Sequence, residues 1–410
     1  MMSKLKKGKD ASYVNRLNKI EVLKLIRESK QISRADIVKR INLSAPTVTR
    51  IVEGLISDKL AIMVGEGDST GGRPPKLIKF DGSDDFVIGI DLGSTSIRGG
   101  ISDLKGEFIA EIETSTDLEG GVDKICIQVV RLIEKLILRS KVSKEKVLGV
   151  GLAIAGLIKV ESGMVEFSPV FNWRKVDFKN ELEKHLKLPI FYDNVTRVTA
   201  LGELVNGVGK KYSNFICVNA GFGIGAGIII NGKLFYGSRG YSGELGHLVV
   251  DGKSDYVGKG SIKGSFESLA SGYGIAEAAK RKMRNRKENS KISEIINGDL
   301  RKITAKVVID CARNGDLLAL EIFDEAMEYW GVALDALIKL FNPEAIVIAG
   351  GLIKSGDIFF ERLRRNILEH KLADVEDEVP ILPSSFGSDA TLIGAKSLVI
   401  SKVLQFETYF

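Results

Sequence analysis

Residues 86–95 read FVIGIDLGST, an apolar run that stops at an acid, a glycine and two hydroxyls. The unbroken apolar character from Phe86 to Leu92 predicts a strand buried on both faces, because a strand with one wet face would alternate. Asp91, Gly93 and Thr95, with Arg98 beyond, then fall at a strand-to-turn junction. An acid, a glycine and a hydroxyl there can hold a metal ion and phosphates, and the same spacing also occurs in plain hairpins.

Downstream, similar runs return at Val147 to Ala155, Phe215 to Ala220, Gly225 to Ile230 and Ala345 to Ala349, with helical patterns at 121–139, 318–341 and 388–402. Alternation of this kind predicts α/β layers. Residues 221–227, GFGIGAG, can raise backbone N–H groups to a phosphate through Gly221 and Gly223, or can simply turn a tight hairpin. Gly350 and Gly351 follow the last strand and precede a helix at Asp357, a place where a nucleotide can rest. Glu244, His247 and Glu267 are the polar candidates for a sugar site, since carboxylates and imidazole bond vicinal hydroxyls; a lone histidine is more often a satisfied core residue.

Upstream, the charge changes character. The first 80 residues hold 17 Lys and Arg against 8 Asp and Glu, whereas the remaining 330 hold 42 against 45. All of the excess positive charge therefore sits in the first fifth, which suits a polyanion-binding module and also fits a solvated basic tail. Leu17, Ile20, Leu23, Leu25 and Ile26 mark a first amphipathic helix over Asn15 to Glu28. Ser33 caps a short second helix from Arg34 to Arg40, and Ser44 caps a third, with Pro46 in its first turn and Val48, Ile51, Val52, Leu55 and Ile56 as its buried stripe. Three short helices with a tight turn before the third make a helix-turn-helix plan, in which Ser44, Ala45, Thr47, Thr49 and Arg50 form the reading surface; a three-helix bundle that binds protein has the same pattern. Leu60 to Val64 and Lys76 to Phe80 predict two strands flanking Gly71-Gly72-Arg73-Pro74-Pro75. As a wing, this hairpin presents Arg73 and Lys76 to a minor groove or phosphate; as a linker, it is merely stiff.

A chain of 410 residues with 44% apolar content can bury two or three cores. Cys126, Cys217 and Cys311 lie far apart without a CxxC pair, which excludes a disulfide framework or a thiolate metal cluster and fits a cytoplasmic location. The lysine-rich start lacks the apolar core of a signal peptide, and glycines interrupt the most apolar stretch, Phe215 to Ile230, so no membrane association is expected.

Taken in order, these features resemble the ROK family, named for repressors, open reading frames and kinases. The resemblance rests on the GGRP wing, Asp91 to Thr95, Gly243-Glu244-Leu245-Gly246-His247, Asn342-Pro343 with Ala349-Gly350-Gly351, and Gly387-Ser388-Asp389-Ala390. It implies a winged helix-turn-helix over 1–80, mainly α with a β wing, joined to a two-lobed α/β domain of the actin-like, hexokinase-like type. The small lobe would take 85–195 plus 390–410 and the large lobe 196–389. It also implies a sugar in the cleft, held by Asn194, Glu244, His247 and Glu267, and a homodimer or tetramer.

The sequence departs from the family pattern in three places. Where family kinases carry Asn-Asp, with the aspartate as general base, this chain has Asn194-Val195, and an isopropyl group accepts no proton. Asp193, two residues earlier on the same strand, is the other candidate for the role. Gly221-Phe222-Gly223 replaces Gly-Thr-Gly, which is expected to crowd ATP. The zinc signature CxCGxxGC has become Gly258-Lys259-Gly260-Ser261-Ile262-Lys263-Gly264-Ser265, so no zinc or other cofactor is expected. Asp91, Gly93, Thr95, Gly221, Gly223, Gly350 and Gly351 then read as a vestigial nucleotide site with no catalytic residue. The expected function is a sugar-responsive repressor that binds double-stranded operator DNA and a small sugar effector. The competing readings are an ATP-dependent sugar kinase with an appended DNA-binding domain, and a basic domain that docks protein.

Overall fold

The structure, a computed structural model, describes residues 11–67, 74–258, 262–285, 290–369 and 378–404. The N-terminal unit comprises α1 (Ala11–Glu28), β1 (Ile32–Ser33), α2 (Arg34–Ile41), α3 (Ala45–Ser57), β2 (Ala61–Glu66) and β3 (Lys76–Phe80). Ser33 and Ser44 cap as their positions require: their hydroxyls accept the Asp36 and Thr47 N–H groups. Asn42, in the left-handed conformation at φ 51°, ends α2 and turns the chain sharply into α3. Val22, Ile26, Ile37, Val48, Val52 and Leu55 close the core between the helices. The two-residue β1, too short for any periodic signal, adds to β3 and makes a sheet of order β1-β3-β2. The Gly67 N–H donates to Pro75 C=O at 2.8 Å across the hairpin. The wing tip that carries Gly71, Gly72 and Arg73 lies outside the described residues.

The first lobe contains β4 (Phe86–Leu92), β5 (Ser96–Asp103), β6 (Phe108–Ser115), α4 (Gly121–Ser140), β7 (Val147–Ile154), a small antiparallel sheet of β8 (Leu157–Lys159), β9 (Met164–Ser168) and β10 (Trp173–Asp177), α5 (Phe178–Glu183) and β11 (Ile190–Asn194); α6 (Val195–Asn206) follows and packs on the second lobe, where Val198 and Leu201 meet Phe215 and Ile229. The second contains β12 (Phe215–Ala220), β13 (Ile224–Ile230), β14 (Lys233–Leu234), α7 (Phe266–Ala270), α8 (Gly272–Asn285), α9 (Lys291–Ile296), α10 (Ala305–Arg313), α11 (Leu317–Phe341), β15 (Ala345–Ala349), α12 (Asp357–Glu369) and β16 (Ile381–Pro383), and α13 (Ala390–Val403) closes the chain. The two main sheets share one plan. Each is an antiparallel three-strand meander with two further strands added in parallel beside its first strand: β6-β5-β4-β7-β11 and β14-β13-β12-β15-β16.

The glycines in the opening stretch have a packing reason. A Cβ on Gly89 would lie 2.8 Å from Lys396 N, and one on Gly151 would lie 2.0 Å from Ala395 O, so α13 rests directly on the backbone of β4 and β7. Gly202 and Gly394 let α6 and α13 approach as closely. Farther along, Val399, Ile400 and Leu404 of the α13 region join Val22, Ile26 and Phe80 in the hydrophobic cluster of the N-terminal unit. No helix among the described residues is long and apolar enough to cross a membrane.

Candidate functional site

The junction of β11 with α6 faces β13 of the other sheet, and the predicted sugar ligands gather around it. Asn194 is the N-cap of α6: its Oδ1 accepts the Thr196 N–H at 2.8 Å, and its amide donates to Gly156 C=O at 2.8 Å. Thr196 Oγ1 reaches Ala226 C=O at 3.0 Å, and Ala226 N–H donates to Gly243 C=O at 2.8 Å, which ties the loop carrying Glu244 to the start of α6. Glu244 Oε2 lies 3.8 Å from His247 Nε2, and His247 Nδ1 is buried without a hydrogen-bond partner among the described residues. Glu267, at the start of α7, accepts the Ile224 N–H at 2.9 Å. Burial raises the Glu244 pKa, Glu267 adds to the shift, and His247 and Arg197 oppose it. A half-buried carboxylate in that condition gains from hydroxyl donors, which a sugar supplies.

Asp193, the other candidate for the base, is enclosed and engaged on both oxygens. It is 1% exposed, and its Oδ1 accepts Arg197 Nε at 2.6 Å and the Asn194 N–H at 2.6 Å, while Oδ2 accepts the Tyr236 hydroxyl at 2.8 Å. Arg197, itself 2% exposed, donates through Nη1 to Gly240 C=O at 2.9 Å. Sequence reasoning missed this arginine because, at the start of α6, a charged side chain reads as solvent-facing; only the tertiary fold reveals its buried partner. Val195, the first residue of α6, offers no acceptor.

The glycine-rich stretch turns the β12–β13 hairpin, closed by Gly221 N–H donating to Gly223 C=O at 3.0 Å. Gly221 and Gly351 line a cavity of about 520 Å³ with Phe222, Tyr273 and Thr304. The Phe222 ring packs on Tyr273, 5.6 Å between centroids, and belongs to the cavity wall, so the expected crowding still leaves ligand-sized space. Gly350 packs on Asn219 and Ala220, and Gly223 lies against Glu267 rather than in this wall. Asp91, Gly93 and Thr95 occupy the β4–β5 turn of the other sheet: Gly93 N–H donates to Ser96 C=O, and Asp91 is in register with Arg98. Arg98 in turn donates to Asp389 at 2.7 Å and fastens this hairpin to the start of α13. Residues 258–265 offer no thiolate or imidazole, so they do not fit the family's zinc; Val250 and Gly264, and Val257 and Lys263, pair the described parts of the loop instead.

On α3, Ser44, Ala45 and Arg50 are exposed and Thr47 and Thr49 half-buried; Lys76 is exposed at the foot of the wing. Two of these groups also hold local structure: Thr47 Oγ1 lies 2.8 Å from Ser44 Oγ, and Arg50 donates to Asn15 Oδ1 of α1 at 2.9 Å.

Two sheets of identical plan with polar groups converging between them define the actin-like, hexokinase-like two-lobed class. Residues 87–402 match the ROK family, and the chain belongs to it. A xylose repressor of Caldicellulosiruptor bescii is 31% identical over 97% of this chain and 99% of its own length. A glucokinase of Thermotoga maritima is also 31% identical, over 77% of this chain and 98% of its own. Among solved structures, a ROK glucokinase of Streptomyces griseus with glucose and AMPPNP superposes at TM-score 0.69 and 27% identity, covering 76% of this chain and 98% of that one. A ROK transcriptional regulator described as a homolog of the E. coli MLC protein matches in fold at TM-score 0.81 and 24% identity, over 96% and 99%.

Proposed function

We propose that this protein is a sugar-responsive transcriptional repressor whose kinase-like cleft binds an effector sugar without efficient phosphotransfer. The observation that carries the reading is one of coverage: the xylose repressor aligns along the whole chain, whereas the glucokinase aligns only with about three quarters of it. The N-terminal unit acts as a winged helix-turn-helix, with the start of α3 reading the major groove and the wing beside it. A homodimer places two such units on half-sites about 34 Å apart.

Val195 at the base position, with Asp193 engaged by three donors, supports loss of catalysis, since a positioned base contributes about 10²–10⁴ in rate. Sugar binding between Asn194, Glu244, His247 and Glu267 biases lobe closure, and a coupling of about 1–3 kcal/mol changes operator occupancy several-fold. Xylose is the first aldose to test, followed by other pentoses and hexoses. Glu244→Ala should retain operator binding and lose the sugar response in a DNA-binding assay; an undiminished response removes the site. An ADP-release assay across aldoses should stay at background, and steady turnover would establish the kinase reading instead.

A further inference from the structure

A second cavity, of about 790 Å³, opens between the N-terminal unit and the lobes, and no residue of α3 lines it. Lys24, Arg27 and Lys30 line it from α1 and the turn that follows, Lys79 from β3, Lys105 from the β5–β6 turn, and Lys210 from beyond the end of α6. Glu28 is the one acid among these lining residues. Lys24 lies 3.9 Å from Glu28, and Lys105 lies 3.1 Å from Asp81, so these two carboxylates offset part of the charge of the lining. Arg27 stands over the Phe80 ring at 5.7 Å.

Behind this wall, Lys396 of α13 is buried, donates to Gly106 C=O and lies 4.1 Å from the Phe108 ring centroid. Burial holds its amine down to about 8; Glu107, Asp103 and Glu111 nearby oppose that shift, and Arg27 adds to it. Positive charge is concentrated here from two sides of a domain junction, at an energetic cost that a bound anion would offset.

We propose that this junction is a binding site for a small phosphorylated metabolite, held at once by the N-terminal unit and by Lys210 on the second lobe. Lysines are compact point charges suited to phosphate oxygens, and the cations named outnumber the neighbouring Glu28, Asp81, Asp103, Glu107 and Glu111 by two, which suits a dianion. The volume suits a small ligand and is too small for a duplex. An occupant touching both units fixes their relative placement, so it acts as a second input on DNA binding, separate from the sugar cleft. Occupancy itself does not depend on the sugar or operator reading.

The test is calorimetric titration of the full chain at low salt with pyrophosphate, inorganic phosphate and a hexose 6-phosphate, repeated on Lys30→Glu, Lys210→Glu and Arg50→Ala. Both lysines are exposed, so the reversals leave the fold intact, checked by unchanged melting without ligand. The expected result is saturable binding that weakens about tenfold or more in Lys30→Glu and Lys210→Glu, the loss of one charge-assisted hydrogen bond, and persists in Arg50→Ala. Tighter binding of the hexose ester than of the inorganic anions assigns the site to an organic phosphate; equal binding assigns it to the phosphate group alone. Absence of binding at millimolar ligand, or binding lost in Arg50→Ala and kept in Lys210→Glu, overturns the proposal.

Discussion

Arg197→Met should be one of the most damaging single substitutions in the lobes. It removes one half of an ion pair whose partners are 1% and 2% exposed at 2.6 Å and leaves the Asp193 carboxylate with only the Asn194 N–H and the Tyr236 hydroxyl. Breaking a buried pair from one side costs about 3–5 kcal/mol, because the remaining charge stays desolvated. For the roughly 320 residues matched by the family, an unfolding entropy of about 2.1 cal/mol/K per residue gives about 0.7 kcal/mol per degree. The midpoint should therefore fall by about 4–7 °C, read by circular dichroism or scanning calorimetry. Asp193→Leu combined with Arg197→Met should recover part of that loss, because no buried charge is left unpaired, although Tyr236, the Asn194 N–H and the Gly240 carbonyl lose partners worth about 1 kcal/mol each. A drop under about 1 °C in Arg197→Met, or a double variant worse than the single, would show that this pair does not hold the cleft together.

Three further outcomes follow from the same structure. Burial raises the Asp91 pKa to about 6, so between about pH 4 and 6 the folded state binds more protons than the unfolded chain and stability falls as pH rises; Asp91→Asn should gain at most about 3 kcal/mol at pH 7 by urea unfolding and nothing below pH 4. Gly243 has φ +87°, and a Cβ there would lie 2.0 Å from Ala226 O, so Gly243→Ala should displace the Glu244 loop and abolish effector binding in calorimetry while the N-terminal unit still binds DNA. Arg50→Ala should weaken operator binding about tenfold and reduce the slope of log affinity against log salt by about one.

The strands around Asp91, Ala220 and Ala349 were legible because they are buried on both faces, and burial writes an unbroken apolar run. The caps at Ser33 and Ser44 were legible because capping is local chemistry. The shared plan of the two sheets was not, since order and sense depend on pairings such as β4 with β7, whose partners lie some 60 residues apart. Glu244, His247 and Glu267 carried their types and order in sequence, but Glu267's bond to Ile224 N–H depends on a hairpin 43 residues earlier. Asp193 and Arg197 show the limit most clearly: four apart across the β11–α6 junction, they resemble a surface pair, and only Tyr236 and the Gly240 carbonyl, from a distant loop, turn them into an interior one.

The bare glycine contacts under α13 have a mechanical consequence. Fourteen residues make a rod of about 21 Å. One end begins beside the Arg98–Asp389 clasp, and the other is embedded beneath the N-terminal unit. With backbone seated on backbone over its first half, from Ala390 to Lys396, the rod has little slack there from side-chain rotation, so a rotation of about 5° at the clasp carries the far end through about 2 Å. The clasp and the N-terminal unit are thus joined by a lever, and the fulcrum is set by residues that have no side chain at all.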